Sequence, residues 1–246
     1  MIKGALFDLG STLIRFTGNW QQVFDDGMQE MISVLTQGEL ELDVEAFKNT
    51  FVETWQRTVK QRDEDHVERP IIELLYHVLE ELGHAQLSST LIEHAIERMF
   101  SVSESFWYPM SNVHTVLENL SAAGLRLGIV SNASNTANVQ RLVDNAELRS
   151  YFDPIVVSAE QRVRKPNKRI FTPVLQTWGL RPQQIVMTGD NLAADVLGAK
   201  QLGMYSIWLT ADANTPENEA LRGTIVPDAV AERLDDVPEI IRGFNS

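Results

Sequence analysis

The chain begins with a short apolar run that ends abruptly on an acid. Residues 2–8 read IKGALFD, and small turn-forming residues follow them. A short apolar run with turn residues behind it is typical of a buried β-strand. Ligands of open parallel sheets bind beyond the carboxyl ends of the strands, and Asp8 lies at such an end. The pattern predicts a first strand over residues 2–8 and makes Asp8 the first candidate functional residue.

Between residues 19 and 106, apolar side chains recur at the spacing of amphipathic helices. No strand pattern interrupts this stretch, which predicts an all-helical module of about four helices. Its charge-rich segment, residues 60–69, is expected to be a solvated connection between two of them. The four apolar runs begin near Trp20, Phe47, Ile71 and Leu91.

After residue 106, short apolar runs alternate with amphipathic ones. Such alternation favours parallel strands with helices between them, which is an α/β fold with a doubly wound parallel sheet. Strands are predicted over 125–130, 154–157, 184–187 and 205–209, with a short edge strand at 228–230. Helices are predicted over 111–123, 135–145, 169–178, 193–202 and 237–242.

The first strand belongs with this sheet, because one strand and its loop cannot fold alone. The helical module is then an insertion after that strand. We predict a sheet domain made of residues 1–14 and 107–246, with an inserted helical cap domain over residues 15–106.

The composition of the chain restricts the classes of partner that it is expected to bind. The chain has 246 residues, a formal net charge of −13 and no cysteine. Such an acidic surface disfavours binding to nucleic acid or to anionic membranes, since both require clustered Lys and Arg. No apolar run suggests a transmembrane helix or a signal peptide, and the lack of cysteine fits a reducing compartment, so we expect a cytoplasmic protein. A monomer and a homodimer are both compatible with the sequence.

Polar side chains follow four of the predicted strands, either directly or in the loop after the strand. Because the carboxyl ends of parallel strands meet at one edge of a sheet, these side chains are expected to lie together. Taken alone, each of them is more often a turn, helix-cap or surface residue. The candidates are Asp8, Ser131 with Asn132, Lys165, and Asp190 with Asp195.

This set suits phosphoryl chemistry. Clustered carboxylates repel one another unless a hard cation neutralises them, and Mg²⁺ prefers oxygen ligands. Asp8 could then attack phosphorus while Mg²⁺ and Lys165 balance the charge of the phosphoryl oxygens. The Ser131 hydroxyl could hold another oxygen of the substrate. Asp190 would complete the metal site, with Asp195 as a ligand through water or as a partner of a ligand.

The stretches that carry these residues resemble the haloacid dehalogenase-like (HAD) hydrolase superfamily. They are Phe7–Leu13, Val130–Asn132, Arg164–Pro166, and Gly189–Asn191 with Asp195. The resemblance implies a Rossmann-like core, a helical cap over the active site and a Mg²⁺-dependent phosphatase. It also implies a phospho-aspartate on Asp8, a metal contact from the main-chain carbonyl of Gly10, substrate contacts from Ser131 and Asn132, and a small phosphorylated metabolite as substrate.

Gly10 departs from the pattern of that family. Most phosphatases of the family carry a second Asp at this position, which protonates the leaving group and then activates water. General acid–base help is typically worth ~10²–10⁴-fold in rate. Three alternatives remain open. A cap residue or a water could substitute, with a reduced rate on alkyl phosphates, or substrates with good leaving groups could be favoured. The chain could also be a catalytically weak binding or regulatory protein.

A 2-haloacid dehalogenase is the alternative enzyme. That branch of the family also lacks the second Asp and needs no metal, whereas the acidic stretch from Asp190 to Asp195 favours a retained Mg²⁺ site and hence a phosphatase. Cap residues that set specificity are not readable from the sequence, and the segment after residue 211 carries no recognisable motif.

Overall fold

The computed structural model describes residues 1–37 and 41–245. Within these residues, six strands form one parallel sheet and two more form an antiparallel pair. The parallel strands are β1 (Gly4–Phe7), β4 (Arg126–Ser131), β5 (Ile155–Val157), β6 (Ile185–Gly189), β7 (Tyr205–Leu209) and β8 (Ala229–Ala231). The antiparallel pair is β2 (Ile14–Phe16) with β3 (Trp107–Pro109).

The sheet order is β5-β4-β1-β6-β7-β8, so β1 lies at its centre between β4 and β6. Phe7 is aligned with Ile129 of β4 and with Thr188 of β6. The backbone N–H of Asp8 donates to the Thr188 carbonyl at 3.0 Å, which ties the first residue after β1 to the end of β6. The carboxyl ends of the three central strands therefore meet at one edge.

Helices cover both faces of the sheet. Successive residues of a strand point to opposite faces, so Phe7 packs into one core and Leu6 into the other. The α/β, doubly wound parallel fold predicted from the sequence is confirmed. Its helices are α5 (Val113–Ala122), α6 (Thr136–Asn145), α7 (Ser158–Gln161), α8 (Thr172–Trp178), α9 (Leu197–Leu202), α10 (Pro216–Leu221) and α11 (Val237–Gly243).

Four helices between β2 and β3 form what we call the helical module, residues 20–104. They are α1 (Trp20–Gln37), α2 (Val44–Asp65), α3 (Ile71–Glu81) and α4 (Ser89–Glu104). Their apolar stripes pack into a core separate from those of the sheet, with Leu35, Phe51 and Leu75 fully buried. The four predicted helices are thus present, while the division into a sheet domain and a cap domain stays a prediction.

Several local expectations were wrong. The first strand is shorter than residues 2–8, and the segment 60–69 is not only a connection, because α2 continues to Asp65. The helix expected over 169–178 begins as a 3₁₀ turn, and the one expected over 193–202 begins as a π-helical turn over Leu192–Val196. The sequence did not predict strands β2 and β3, because three residues each are too few to show a period.

No helix among residues 1–37 and 41–245 combines the length and the apolar character needed to cross a bilayer.

Candidate active site

Lys165 is the centre of the polar cluster at the sheet edge. Its Nζ donates to Asp8 Oδ1 at 2.7 Å and to the Val130 carbonyl at 2.6 Å, and it lies 2.7 Å from Asp195 Oδ1. Burial alone would lower the pKa of Lys165, but the carboxylates of Asp195 and Asp8 outweigh it and raise the pKa above its usual value. Lys165 is therefore a fixed ammonium group beside two carboxylates.

Asn132 holds the loop that carries Lys165. Its side-chain amide donates to the Lys165 carbonyl at 3.1 Å, and its Oδ1 accepts from the Lys165 N–H at 2.8 Å. Asn132 directly follows β4, so the two hydrogen bonds join the end of this strand to the Lys165 loop. The side chain thus has a positioning role that the sequence did not indicate.

Asp190 and Asp195 follow β6 and are held by surrounding backbone and side chains. The Asp190 carbonyl accepts from Trp208 Nε1 and from Asn218 Nδ2, each at 2.9 Å. Asp195 Oδ2 accepts from the N–H of Asn191 at 3.0 Å. The segment after residue 211 therefore contributes to the site through Asn218, which the sequence did not indicate.

The acidic cluster fits a hard divalent cation. Asp8, Asp190 and Asp195 each offer a carboxylate oxygen, and these oxygens lie within 4.8 Å of one another. Burial, together with the charges of Asp8 and Asp195, raises the pKa of Asp190 to about 8. Burial also raises the pKa of Asp195 to about 6, although Lys165 opposes this. A single ammonium does not neutralise three carboxylates, and oxygen-only donors suit Mg²⁺.

Asp8 and Lys165 open into a cavity of about 520 Å³. Gly10, Asn132, Asp190 and Asp195 also line it, whereas Ser131 is buried and is not among the described residues that do so. Further residues line the cavity that the motifs did not include. The charged or titratable ones are Asp63 and His66 of the helical module, Arg164 beside Lys165, and Glu217 of α10.

A family model described as haloacid dehalogenase-like hydrolase matches residues 2–203. The chain belongs to this family. The predicted HAD-like hydrolase is therefore confirmed, whereas the roles of the individual site residues stay predictions.

Curated relatives of this HAD-like chain include two archaeal proteins named glyceraldehyde 3-phosphate phosphatase. The protein from Methanopyrus kandleri is 24% identical over 242 residues, covering 98% of each chain. The protein from Methanothermobacter thermautotrophicus is 29% identical over 133 residues, which are 54% of this chain and 58% of the relative. A solved 2-haloacid dehalogenase from Pseudomonas syringae pv. Tomato DC3000 has a TM-score of 0.70 at 23% identity, covers 99% of this chain and 100% of its own, and shares the fold.

Among the glycines of this HAD-like site, Gly189 leaves less room for a side chain than Gly10 does. A Cβ at this position would lie 2.1 Å from Asp195 Oδ2 and 2.2 Å from Asp195 Cγ. Gly189→Ala is therefore expected to displace the Asp195 carboxylate and to cost about 1–3 kcal/mol of unfolding free energy, as overpacked cores do. Any increase in melting temperature on adding Mg²⁺ should also be smaller than in the wild type.

Gly243→Ala is the matched control, because a Cβ there meets no heavy atom within 4 Å. Thermal unfolding with and without Mg²⁺ checks both variants. An unchanged Mg²⁺ response in Gly189→Ala would show that the position of Asp195 does not matter to the cation.

Proposed function

We propose that the chain is a Mg²⁺-dependent phosphatase that hydrolyses a small phosphorylated metabolite through a phospho-aspartate on Asp8. The observation that carries this proposal is the placement of Asp8. Its carboxylate lies 2.7 Å from the Lys165 ammonium, inside a cavity that it shares with two further carboxylates. The cavity volume of about 520 Å³ lies in the range of small-molecule sites.

Asp8 acts as the nucleophile. Its Oδ1 is oriented by Lys165, and its side chain is only 16% exposed, so a carboxylate oxygen is held at the cavity surface in one orientation. Attack of a carboxylate oxygen on phosphorus splits hydrolysis into two easier displacements. Lys165 also supplies positive charge near the phosphoryl oxygens, which carry the developing charge in such reactions.

Asp8, Asp190 and Asp195 would hold the Mg²⁺ ion, with Gly10 adding its main-chain carbonyl. When bound, the ion neutralises the carboxylates and polarises the phosphoryl group. Thr12 supports this arrangement, since its hydroxyl lies 3.4 Å from Asp190 Oδ1. Ser131 and Asn132 remain the proposed substrate contacts from β4, the latter beside its two hydrogen bonds to Lys165.

The helical module acts as the cap in this proposal. Asp63 and His66 of the module line the same cavity as Asp8. The module is also joined to the sheet domain by backbone, since the N–H of Ile71 donates to the Ser134 carbonyl at 3.0 Å and the N–H of Glu68 to the Arg162 carbonyl at 3.3 Å. A cap of this kind excludes bulk water and selects the substrate.

Phosphate release from an activated aryl phosphate, with and without a chelator, tests the proposal. We expect turnover that requires Mg²⁺, followed by activity on a panel of small phosphate esters. Glyceraldehyde 3-phosphate is the first of these, because two relatives bear the name of its phosphatase. Halide release from a 2-haloacid in the presence of chelator would instead favour a dehalogenase. Tight binding of phosphate esters without turnover would favour a binding protein.

A further inference from the structure

Cleavage of an alkyl phosphate leaves an alkoxide that must gain a proton, and the sheet domain offers few donors for it. The loop directly after Asp8, residues 9–13, reads LGSTL and contains no titratable side chain. The Lys165 ammonium already contacts Asp8, Asp195 and the Val130 carbonyl, so it is held away from a leaving group. Arginine side chains such as that of Arg164 do not give up a proton in proteins.

The helical module supplies a histidine to the lining of this cavity. His66 lies directly after α2 and lines the cavity together with Asp8 and Lys165. Its backbone has a φ of 55°, in the left-handed region that few non-glycine residues adopt. This conformation ends α2 and fixes where the His66 side chain leaves the chain.

The His66 backbone is bound on both sides. Its N–H donates to the Arg62 carbonyl at 3.0 Å, and its carbonyl accepts from the N–H of Arg164 at 3.1 Å. Arg164 directly precedes Lys165, so this hydrogen bond joins the end of α2 to the loop that carries the Asp8 partner. The His66 backbone is therefore tied by one hydrogen bond directly to the loop that carries Lys165.

Two carboxyl side chains from outside the motifs share the cavity. The side chain of Asp63 is 65% exposed, and its nearest ion-pair partner, Arg62, is 3.9 Å away. The Glu217 carboxylate accepts a hydrogen bond from Asn191 at 3.3 Å, next to the acidic cluster. Imidazole differs from both because it can give and take a proton near neutral pH.

We propose that His66 is the general acid–base of this site. The inference rests on the proposed phosphatase function. An oxygen of the Asp8 carboxylate forms a bond to phosphorus while the bond from phosphorus to the ester oxygen breaks. That oxygen keeps the electron pair and takes a proton from the His66 imidazolium, so an alcohol leaves.

Neutral His66 then accepts a proton from water as the water oxygen attacks phosphorus. The bond between phosphorus and the Asp8 oxygen breaks, the carboxylate recovers its electron pair, and inorganic phosphate leaves. His66 ends as the imidazolium, so the two steps together consume one water and leave the enzyme unchanged.

The test compares two classes of ester, because a good leaving group needs no proton whereas an alkoxide does. His66→Asn is the variant of choice, since asparagine accepts the left-handed conformation. We expect a loss of ~10²–10⁴-fold in kcat/KM on an alkyl phosphate and less than about tenfold on p-nitrophenyl phosphate. His77→Asn is the matched control, because His77 lies on α3 of the same module with its side chain 56% exposed.

Equal losses on both esters, or no loss on either, would overturn the role of His66 while leaving the phosphatase proposal intact. Wild-type turnover confined to the aryl ester would also overturn it. Wild-type protein that releases phosphate from neither ester would overturn both proposals together. Circular dichroism and thermal unfolding of both variants establish that they are folded, and His66→Gln repeats the comparison with a second side chain.

Discussion

Asp8→Asn is expected to lower kcat on an activated aryl phosphate by at least about 10³-fold, because an amide cannot form the covalent intermediate. The substitution keeps the shape of the side chain. An asparagine oxygen can still accept from Lys165 Nζ, which now lies 2.7 Å from Asp8 Oδ1. The loss of activity would therefore reflect the missing nucleophile and not misfolding.

Two measurements check this prediction. The first is the rate of phosphate release, with Asp25→Asn as the control, since Asp25 lies exposed on α1. The second is mass spectrometry after acid quench, in which the wild-type peptide that contains Asp8 should carry one added phosphoryl group and the variant none. A variant that keeps its rate would remove Asp8 from the nucleophilic role.

Lys165→Met is expected to have the largest effect on stability. The lysine side chain is 1% exposed and lies between two carboxylates, at 2.7 Å from each. Removing one partner of a buried ion pair typically costs about 3–5 kcal/mol, because the remaining charge is buried without compensation. Activity should fall as well, since Asp8 loses the group that orients it.

The stability loss should depend on pH. Burial raises the pKa of Asp195 to about 6, so the folded protein binds this proton more tightly than the unfolded chain does. Stability from such a group is fully present below its unfolded pKa and is lost as pH rises through its folded pKa. Lys165→Met removes the ammonium that lowers the pKa of Asp195, so the loss in unfolding free energy should grow as the pH rises above about 6.

Urea unfolding in the presence of chelator measures this effect. Lys168→Met is the control, because Lys168 lies three positions further on and is exposed. The double variant Lys165→Met with Asp195→Asn should recover part of the lost free energy, since it leaves fewer unpaired charges. A double variant that is less stable than the single one would contradict the idea that uncompensated charge causes the loss.

The period of the apolar residues determined the fold class. Alternating short strands and helices predicted a parallel sheet, and i, i+3 and i+4 spacing predicted the four helices of the module. The same reasoning brought Asp8, Lys165, Asp190 and Asp195 to one sheet edge, because strand ends of a parallel sheet share an edge. A polar residue that directly follows an apolar strand is a local pattern, so a single sequence is enough to recognise it.

Only the tertiary structure decided which residues from other parts of the chain lie near that sheet edge. His66 lies in a charge-rich segment that the sequence assigned to a solvated connection, and Glu217 and Asn218 lie in a segment without a motif. Their role depends on contacts across long sequence separations, such as the bond from Asn218 to the Asp190 carbonyl and the bond from Arg164 to the His66 carbonyl. No local period encodes such contacts, because they arise from the way distant segments of the chain pack against one another. The sequence by itself determined which residues lie at the sheet edge. The packing of the helical module decided which of its residues line the same cavity.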